Sequence, residues 1–226
     1  MKNLNLRSSL FGNYCFGAYV PRKEMCLMDI KGETPVIEKF MEKYVNYGLK
    51  HEKHGIAEWV LWQKDIPKYV LTEQKNMFIP NWLNLSQKDT ISISSTPDGF
   101  NSQMDTILEV KCTLPKKECK PNFETKWLPQ VFGQQMIANM YFEKQNSPCR
   151  IKKTHLINWG ENRTKIYEIL FSKEFVFYLI ELLEEYSLAL LSEDKEKING
   201  LEKKAKKLEW NKDEVIKLVY EGVVKN

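Results

Sequence analysis

The sequence predicts an α+β fold in which a central mixed β-sheet is flanked by helices. Segments with apolar residues at the helical period alternate with short runs of β-branched and aromatic residues that end at turn residues. The 226 residues, of which 42% are hydrophobic, suffice for a sizeable core. We expect a single domain over 1–226, with its core over residues 7–191 and a helical C-terminal tail over 192–226.

The first part of the chain is mainly helical by pattern. Residues 1–30 predict a short helix and loops. Thr34 is a suitable N-cap, and Pro35 suits the first helical position. From there to Lys64 the apolar residues recur at helical spacing, which predicts one long helix or two consecutive helices that join at Gly48.

The remaining elements alternate between strand and helix. Strands are predicted at 69–72, 77–80, 90–94, 107–112, 154–159 and 165–171. Helices are predicted at 130–142 and 174–191, although Gly133 disfavours the first of them. The Gly-Glu-Asn-Arg segment between the last two strands is typical of a hairpin.

Composition indicates the class of protein but does not indicate a function. The net charge of +4 is compatible with an anionic partner but does not require one. The five cysteines are odd in number and form no CxxC pair, which argues against a structural zinc site and favours free thiols in a reducing, intracellular compartment. No run approaches the roughly 18 apolar residues that a membrane span needs, so we expect neither secretion nor membrane association.

The stretch STPDGFNSQMDTILEVKC (95–112) brings carboxylates and a lysine to neighbouring predicted strands. Alternate residues of a strand share a face, so Glu109 and Lys111 point together while the residues between them point to an apolar layer. Asp98 lies in the Pro-Asp-Gly turn that ends the preceding strand. If the two strands pair, Asp98 and Glu109 lie side by side.

Two carboxylates at this range repel each other unless a cation lies between them, and oxygen ligands suit Mg²⁺ or Mn²⁺. The backbone carbonyl of Val110 would add a further oxygen. Lys111 would then orient or deprotonate an attacking water, and the metal would polarise a phosphoryl oxygen. The alternative is structural, because Pro-Asp-Gly is a common turn and Glu-x-Lys is a common exposed strand pattern.

Two further segments favour a site over isolated surface residues. Glu52 on the long helix offers a third carboxylate. His51 and His54 flank it, and without an HExxH pattern we interpret them as solvent-exposed or nucleic-acid-facing rather than as zinc ligands. Gln130 and Gln134 lie four residues apart on one helical face, where their amides either form a polar surface or hold a scissile phosphate or a water.

In order and spacing these motifs resemble the PD-(D/E)xK nucleases. The Pro-Asp-Gly turn, Glu-x-Lys on the next strand, Gly-x-x-x-Glu on the long helix and Gln-Val-x-Gly-Gln-x-Met together are similar to the lambda-exonuclease branch, which includes the YqaJ-type viral recombinase nucleases. Arg-Ser-Ser-Leu-Phe-Gly at residues 7–12 resembles the Arg-x-Thr-Ala-Ser-x-x-Gly segment of that branch. The similarity spans roughly residues 7–190.

The resemblance implies a restriction-endonuclease-like core and a Mg²⁺-dependent 5′-to-3′ exonuclease on linear duplex DNA, acting in recombination, replication or end processing. Mn²⁺ would substitute for Mg²⁺. The implied roles are metal ligation by Glu52, Asp98, Glu109 and the Val110 carbonyl, catalysis by the three carboxylates with Lys111 and Gln130, and binding of DNA or its 5′-phosphate by Ser9, Thr96, Gln130 and Gln134. One residue more than the family spacing separates Gly133 from Met136, so Gln130 and Gln134 compete for the same role.

The resemblance also implies a ring trimer and a single-strand annealing protein as a partner. High usage of Lys, Asn and Ile fits the AT-rich genome of a phage or a large DNA virus. The arginine that the family places ahead of the Ser9-like position has no clear counterpart, which leaves an endonuclease on the same core as one alternative. A non-catalytic DNA-binding module on that fold is the other.

Overall fold

Two β-sheets and four helices make up the computed structural model, which describes residues 3–16, 39–63, 76–84, 90–101, 105–114, 123–192 and 214–223. The helices are α1 (Phe11–Phe16), α2 (Lys39–Trp62), α3 (Leu128–Lys144) and α4 (Lys173–Ser192), with 3-10 turns at Ser8–Leu10 and Thr125–Trp127. The strands are β1 (Asn3–Arg7), β2 (Met77–Asn84), β3 (Thr90–Ser95), β4 (Gly99–Asn101), β5 (Thr106–Cys112), β6 (Lys153–Trp159), β7 (Arg163–Leu170) and β8 (Ile216–Val223).

The larger sheet is mixed, as the sequence predicts. Its five strands have the order β4-β5-β6-β7-β8, with β5 and β6 parallel and the other neighbours antiparallel. The predicted hairpin closes through a hydrogen bond from the Gly160 N–H to the Arg163 carbonyl, at 3.0 Å. The predicted fold class is therefore confirmed.

Strand β8 corrects the prediction of a helical tail over 192–226. Residues Ile216–Val223 pair antiparallel with β7 at the edge of the larger sheet. The run is rich in β-branched and aromatic residues, which favour a strand, and without it β7 would be an unpaired edge. The Lys- and Glu-rich segment before it, residues 193–213, lies outside the described residues.

The smaller sheet adds a strand, β1, that was not predicted for residues 1–30, whereas the short helix predicted there is present as α1. Its order is β1-β3-β2, with β1 parallel to β3 and β2 antiparallel to it. The Asn-Leu-Asn-Leu alternation of β1 is the period-two signal of a strand, with Leu6 buried. The predicted strand at 69–72, and the predicted helix start at Thr34 and Pro35, lie outside the described residues.

The five-stranded sheet is covered on both faces. One face packs into a large apolar cluster with α1, α3 and α4, which also contains the inner faces of the smaller sheet. The other face packs under α2 through a second cluster that includes Trp59, Leu108 and Val110. None of the described helices is long and apolar enough to cross a bilayer.

Two glycines permit close packing of helices against their neighbours. In α3, a Cβ atom on Gly133 would lie 2.4 Å from Cδ2 of Phe11, so this glycine allows α1 to pack directly on α3. In α2, a Cβ atom on Gly55 would lie 2.6 Å from Cγ1 of Val110. Helix α2 runs unbroken through Gly48, where a Cβ atom would meet nothing within 4 Å.

We expect Gly55→Ala to lower the free energy of unfolding by up to about 2 kcal/mol, because overpacking against the stiff Val110 side chain costs about 1–3 kcal/mol and is offset by a gain of only about 1 kcal/mol in helix propensity. Gly48→Ala is the matched control on the same helix and should be stabilising by up to about 1 kcal/mol. Urea unfolding followed by circular dichroism measures both. Equal shifts for the two variants would contradict the packing argument.

Burial lowers the pKa of His155 to about 4, against an opposing hydrogen bond to Glu168. The ring accepts a hydrogen bond from Nε1 of Trp59 at 2.8 Å. The unfolded chain takes up this proton below about pH 6.5 and the folded protein only near pH 4. The stability that the neutral ring contributes is therefore complete above pH 6.5 and is lost as the pH falls toward 4.

As the pH falls from 6.5 toward 4, the free energy of unfolding should therefore decrease more steeply for the wild type than for His155→Gln. The difference between the two slopes should be at most about 1.4 kcal/mol per pH unit. Denaturant titrations at several pH values in this window measure the difference between the two proteins. Parallel curves for the two proteins would show that His155 does not control acid stability.

Candidate active site

Two of the predicted carboxylates, Asp98 and Glu109, lie side by side where β4 begins next to β5. Strand β3 belongs to the other sheet, so it is the short β4 after the turn that pairs with β5, with Gly99 opposite Leu108. Asp98, the residue just before β4, therefore lies beside Glu109. Its Oδ2 accepts a hydrogen bond from the Val110 N–H at 2.6 Å, which fixes the turn to β5.

Glu109 is the most enclosed of the three predicted carboxylates, with 3% of its surface exposed. Its Oε1 accepts hydrogen bonds from Lys111 Nζ and Gln130 Nε2, both at 2.6 Å. Its Oε2 accepts one from Gln134 Nε2 at 2.5 Å. A buried carboxylate needs such donors to remain charged, and together they hold the Glu109 carboxylate in one orientation.

Lys111 lies on the same face of β5 as Glu109, as the alternation predicts. Its Nζ also donates to Gln130 Oε1 at 2.8 Å, so Glu109, Lys111 and Gln130 form a closed triangle of hydrogen bonds. The Lys111 side chain keeps 26% of its surface exposed. The ammonium group is thus fixed in direction while it stays within reach of a ligand from solvent.

The two glutamines of α3 have different positions rather than competing for one. Gln130 is half-buried at the start of the helix and lines an open cleft. Gln134, one turn deeper, is 1% exposed, and its Oε1 has no hydrogen-bond partner among the described residues. Gln130 therefore lines the open cleft, whereas Gln134 holds Glu109 from the core side.

Glu52 acts on the same site from α2. Burial, followed by the negative charges of Glu109 and Glu52, raises the pKa of Asp98 well above its usual range, while the Val110 N–H and Lys111 oppose the shift. The three predicted carboxylates are therefore close enough to influence one another. Their combined charge exceeds that of Lys111 and favours binding of a cation.

The donor set can be tested against the implied metal. In the described part of the chain, no three His, Cys, Asp or Glu side chains are grouped tightly enough to enclose an ion by themselves. Mg²⁺ does not need such a cage, because it is usually held by one or two carboxylates with waters and substrate phosphate oxygens. The hard oxygens of Asp98, Glu109 and the Val110 carbonyl fit that pattern.

A cleft of about 220 Å³ opens beside the cluster. It is lined by Arg7, Ser8, Ser9, Ser94, Ser95, Thr96 and Gln130. Because β1 runs parallel to β3, with Arg7 opposite Ser94, the residues that follow the two strands leave the sheet side by side. Ser8 Oγ donates to Ser95 Oγ at 3.1 Å across this junction.

Ser9 and Thr96 both line this cleft, as does Gln130. Arg7, which was not among the predicted site residues, also lines this cleft and adds a positive charge there. The missed signal was the alternation of β1, since only a strand that pairs with β3 brings Arg7 alongside Ser94. Hydroxyl groups and an arginine together are donors that suit a phosphate.

The histidines next to Glu52 lie on a different flank of α2. Nδ1 of His51 and Nδ1 of His54 are 3.1 Å apart, and the His51 ring stacks on Trp159 with centroids 5.3 Å apart. That these two histidines face solvent or nucleic acid, and do not bind zinc, stays a prediction. Val110 lies between Glu109 and Lys111 on β5, and its side chain packs under α2.

No protein-family model matches the chain, and no curated protein matches its sequence. Among solved structures, a phage-related exonuclease from Haemophilus somnus 129PT aligns with a TM-score of 0.52 and 13% identity, over 90% of this chain and 97% of that one. A protein designated SSO0001 aligns with a TM-score of 0.45 and 13% identity, over 83% of this chain and 77% of that one. The resemblance drawn from the motifs is thus confirmed at the level of the fold, which this chain shares with a phage-related exonuclease.

Proposed function

We propose that the protein is a Mg²⁺-dependent deoxyribonuclease that degrades linear duplex DNA from a 5′ end. The observation that carries the proposal is the position of Gln130, which joins a hydrogen-bonded carboxylate–lysine cluster to a cleft lined by hydroxyls and an arginine. The carboxylate–lysine cluster suits phosphodiester hydrolysis, and the cleft suits a terminal phosphate. The fold shared with a phage-related exonuclease supports the same conclusion.

Asp98, Glu109 and the Val110 carbonyl would hold the metal, with Glu52 adding negative charge from α2. When bound, Mg²⁺ polarises a phosphoryl oxygen and lowers the pKa of a coordinated water. Lys111, aimed by Glu109 and Gln130, stabilises the negative charge that develops on the phosphate or orients the attacking water. Gln134 keeps Glu109 in place during the reaction.

Water is the attacking group in this scheme. The cleft hydroxyls of Ser8 and Ser95 bind each other rather than a base that would activate them. The oxygen of water forms the new bond to phosphorus, the bond to the leaving sugar oxygen breaks, and that oxygen takes up a proton. The products are a nucleotide and a duplex with one shortened strand. A ring trimer and a single-strand annealing partner belong to the same proposal.

We expect Asp98→Asn and Lys111→Ala each to reduce the rate of DNA hydrolysis by about 10²-fold or more, because each removes a charge placed next to the reacting phosphate. The assay is digestion of end-labelled linear duplex with Mg²⁺, and EDTA should abolish it. Circular duplex in the same assay should stay intact. Nicked or linearised circles would instead identify an endonuclease.

Asp105→Asn and Lys152→Ala are matched controls for that assay. Asp105 and Lys152 form an ion pair of 2.7 Å near the opposite end of β5, where the lysine side chain is 74% exposed. Exposed pairs contribute little to stability, so both variants should keep wild-type activity. If the site variants digest DNA as fast as these controls, the cluster is not catalytic.

The cleft should make the enzyme prefer 5′-phosphorylated ends over 5′-hydroxyl ends. Arg7→Met should raise the KM for phosphorylated ends by about tenfold, because it removes a charge-assisted hydrogen bond, whereas Ser9→Ala and Thr96→Ala should raise it a fewfold. Ser92→Ala, on β3 but outside the cleft, is the control. Initial rates on duplexes with a 5′-phosphate or a 5′-hydroxyl end measure the effect. If Arg7→Met has the wild-type KM for both kinds of end, Arg7 does not have this role.

A further inference from the structure

Helices α2 and α4 each present a stripe of side chains with the same residue spacing. Positions i, i+4, i+7 and i+11 share one face of a helix. On α2 these positions form the α2 stripe, which consists of Leu49, Lys53, Ile56 and Val60. On α4 they form the α4 stripe, which consists of Phe177, Glu181, Glu184 and Leu188. The ends of each stripe are apolar and lie three helical turns apart, about 16.5 Å along the axis.

The apolar ends of both stripes lie open on the surface. The exposed fractions are 69% for Leu49 and 45% for Val60 on α2, and 67% for Phe177 and 47% for Leu188 on α4. A single exposed apolar side chain is ordinary on a protein surface. Two pairs at one common spacing differ from this, because helices packed side by side can bring both ends of one stripe onto both ends of the other.

The charges between the apolar ends have opposite signs on the two helices. The α2 stripe carries Lys53, whereas the α4 stripe carries Glu181 and Glu184. Residues 177–188 of α4 contain no lysine or arginine. If the stripes pack antiparallel with their ends in contact, Lys53 lies opposite Glu184, and if they pack parallel it lies opposite Glu181. Either direction therefore pairs unlike charges between two apolar contacts.

The two stripes belong to opposite sides of the larger sheet. Helix α2 packs on one face through the cluster that includes Trp59, whereas α4 belongs to the large apolar cluster on the other face. A contact between the stripes therefore joins two copies of the chain. It is heterologous, so it produces a ring if the rotation between copies closes and an open filament if it does not.

We propose that the protein self-associates by packing the α2 stripe of one copy on the α4 stripe of the next. The inference rests on the proposed function for the closed ring, and it adds the surfaces that join the copies. It does not require that the protein hydrolyse DNA. Burial of the apolar ends supplies the attraction, and the unlike charges determine which surfaces pair.

The first test separates a contact between unlike stripes from a contact between like ones. One double variant carries Leu49→Ser and Val60→Ser, and the other carries Phe177→Ser and Leu188→Ser. Each keeps one intact stripe, so each should stay monomeric alone, whereas an equimolar mixture should form a dimer and grow no further. Sedimentation velocity over a range of concentrations measures this, and circular dichroism checks that both variants are folded.

Charge reversal tests the same contact without changing its apolar ends. Lys53→Glu should weaken self-association by about tenfold or more, because like charges across an interface repel. Glu181→Lys together with Glu184→Lys should weaken it likewise, and all three changes in one chain should restore it. Phe78→Ser is the matched control, because Phe78 is 44% exposed but lies on β2 of the smaller sheet. This variant should associate as the wild type does.

The outcomes distinguish the interface from the nuclease proposal. A wild type that stays monomeric at every concentration, or stripe variants that associate as the wild type does, would overturn the interface whether or not DNA is digested. A double variant that dimerises alone would show that like surfaces pair, which would also overturn it. If the variants respond as expected but the wild type digests no DNA, the interface stands and the nuclease proposal fails.

Discussion

The burial of Glu109 is the constraint from which the rest of the site follows. A carboxylate with 3% of its surface exposed must find donors or lose its charge. Its donors come from β5 itself and from the first two turns of α3, which therefore has to lie across the end of the strand. The close contact of Gly133 with Phe11 lets α1 pack against that part of α3, so core packing and the charged cluster require the same helix position.

The second organising feature is the parallel pairing of β1 with β3. It places the ends of two strands, 87 residues apart at the Ser8–Ser95 contact, on one side of the smaller sheet and creates the cleft. Neither strand lines the cleft alone, because the arginine lies on one and most of the hydroxyls lie on the other or just after it. The larger sheet holds the carboxylates, so the two sheets meet functionally at Gln130.

Local patterns predict what depends on local geometry. The alternation of β5 places Glu109 and Lys111 together, the Pro-Asp-Gly turn places Asp98 beside them, and the helical period gives α3. The predictions that were wrong concern strands whose formation depends on contacts with distant parts of the chain. Strand β8 and strand β1 exist because β7 and β3 pair with them, and no property of residues 1–30 alone specifies a partner so far along the chain. Likewise, Gly48 and Gly55 are equivalent by propensity, and only the packing of α2 on Val110 separates them.

The glutamine pair shows most clearly how environment assigns a role. Gln130 and Gln134 share a residue type and a helix face, and both donate to Glu109, yet one turn of helix moves the second from the rim into the core. The rim position lies between opposite charges, with Asp98, Glu109 and Glu52 on one side and Arg7 on the other. A neutral amide is suited to this boundary because it donates to the carboxylate and accepts from the lysine, and a charged side chain could do only one of these. In the proposed function, the negative side would receive the cation and the positive side the phosphate.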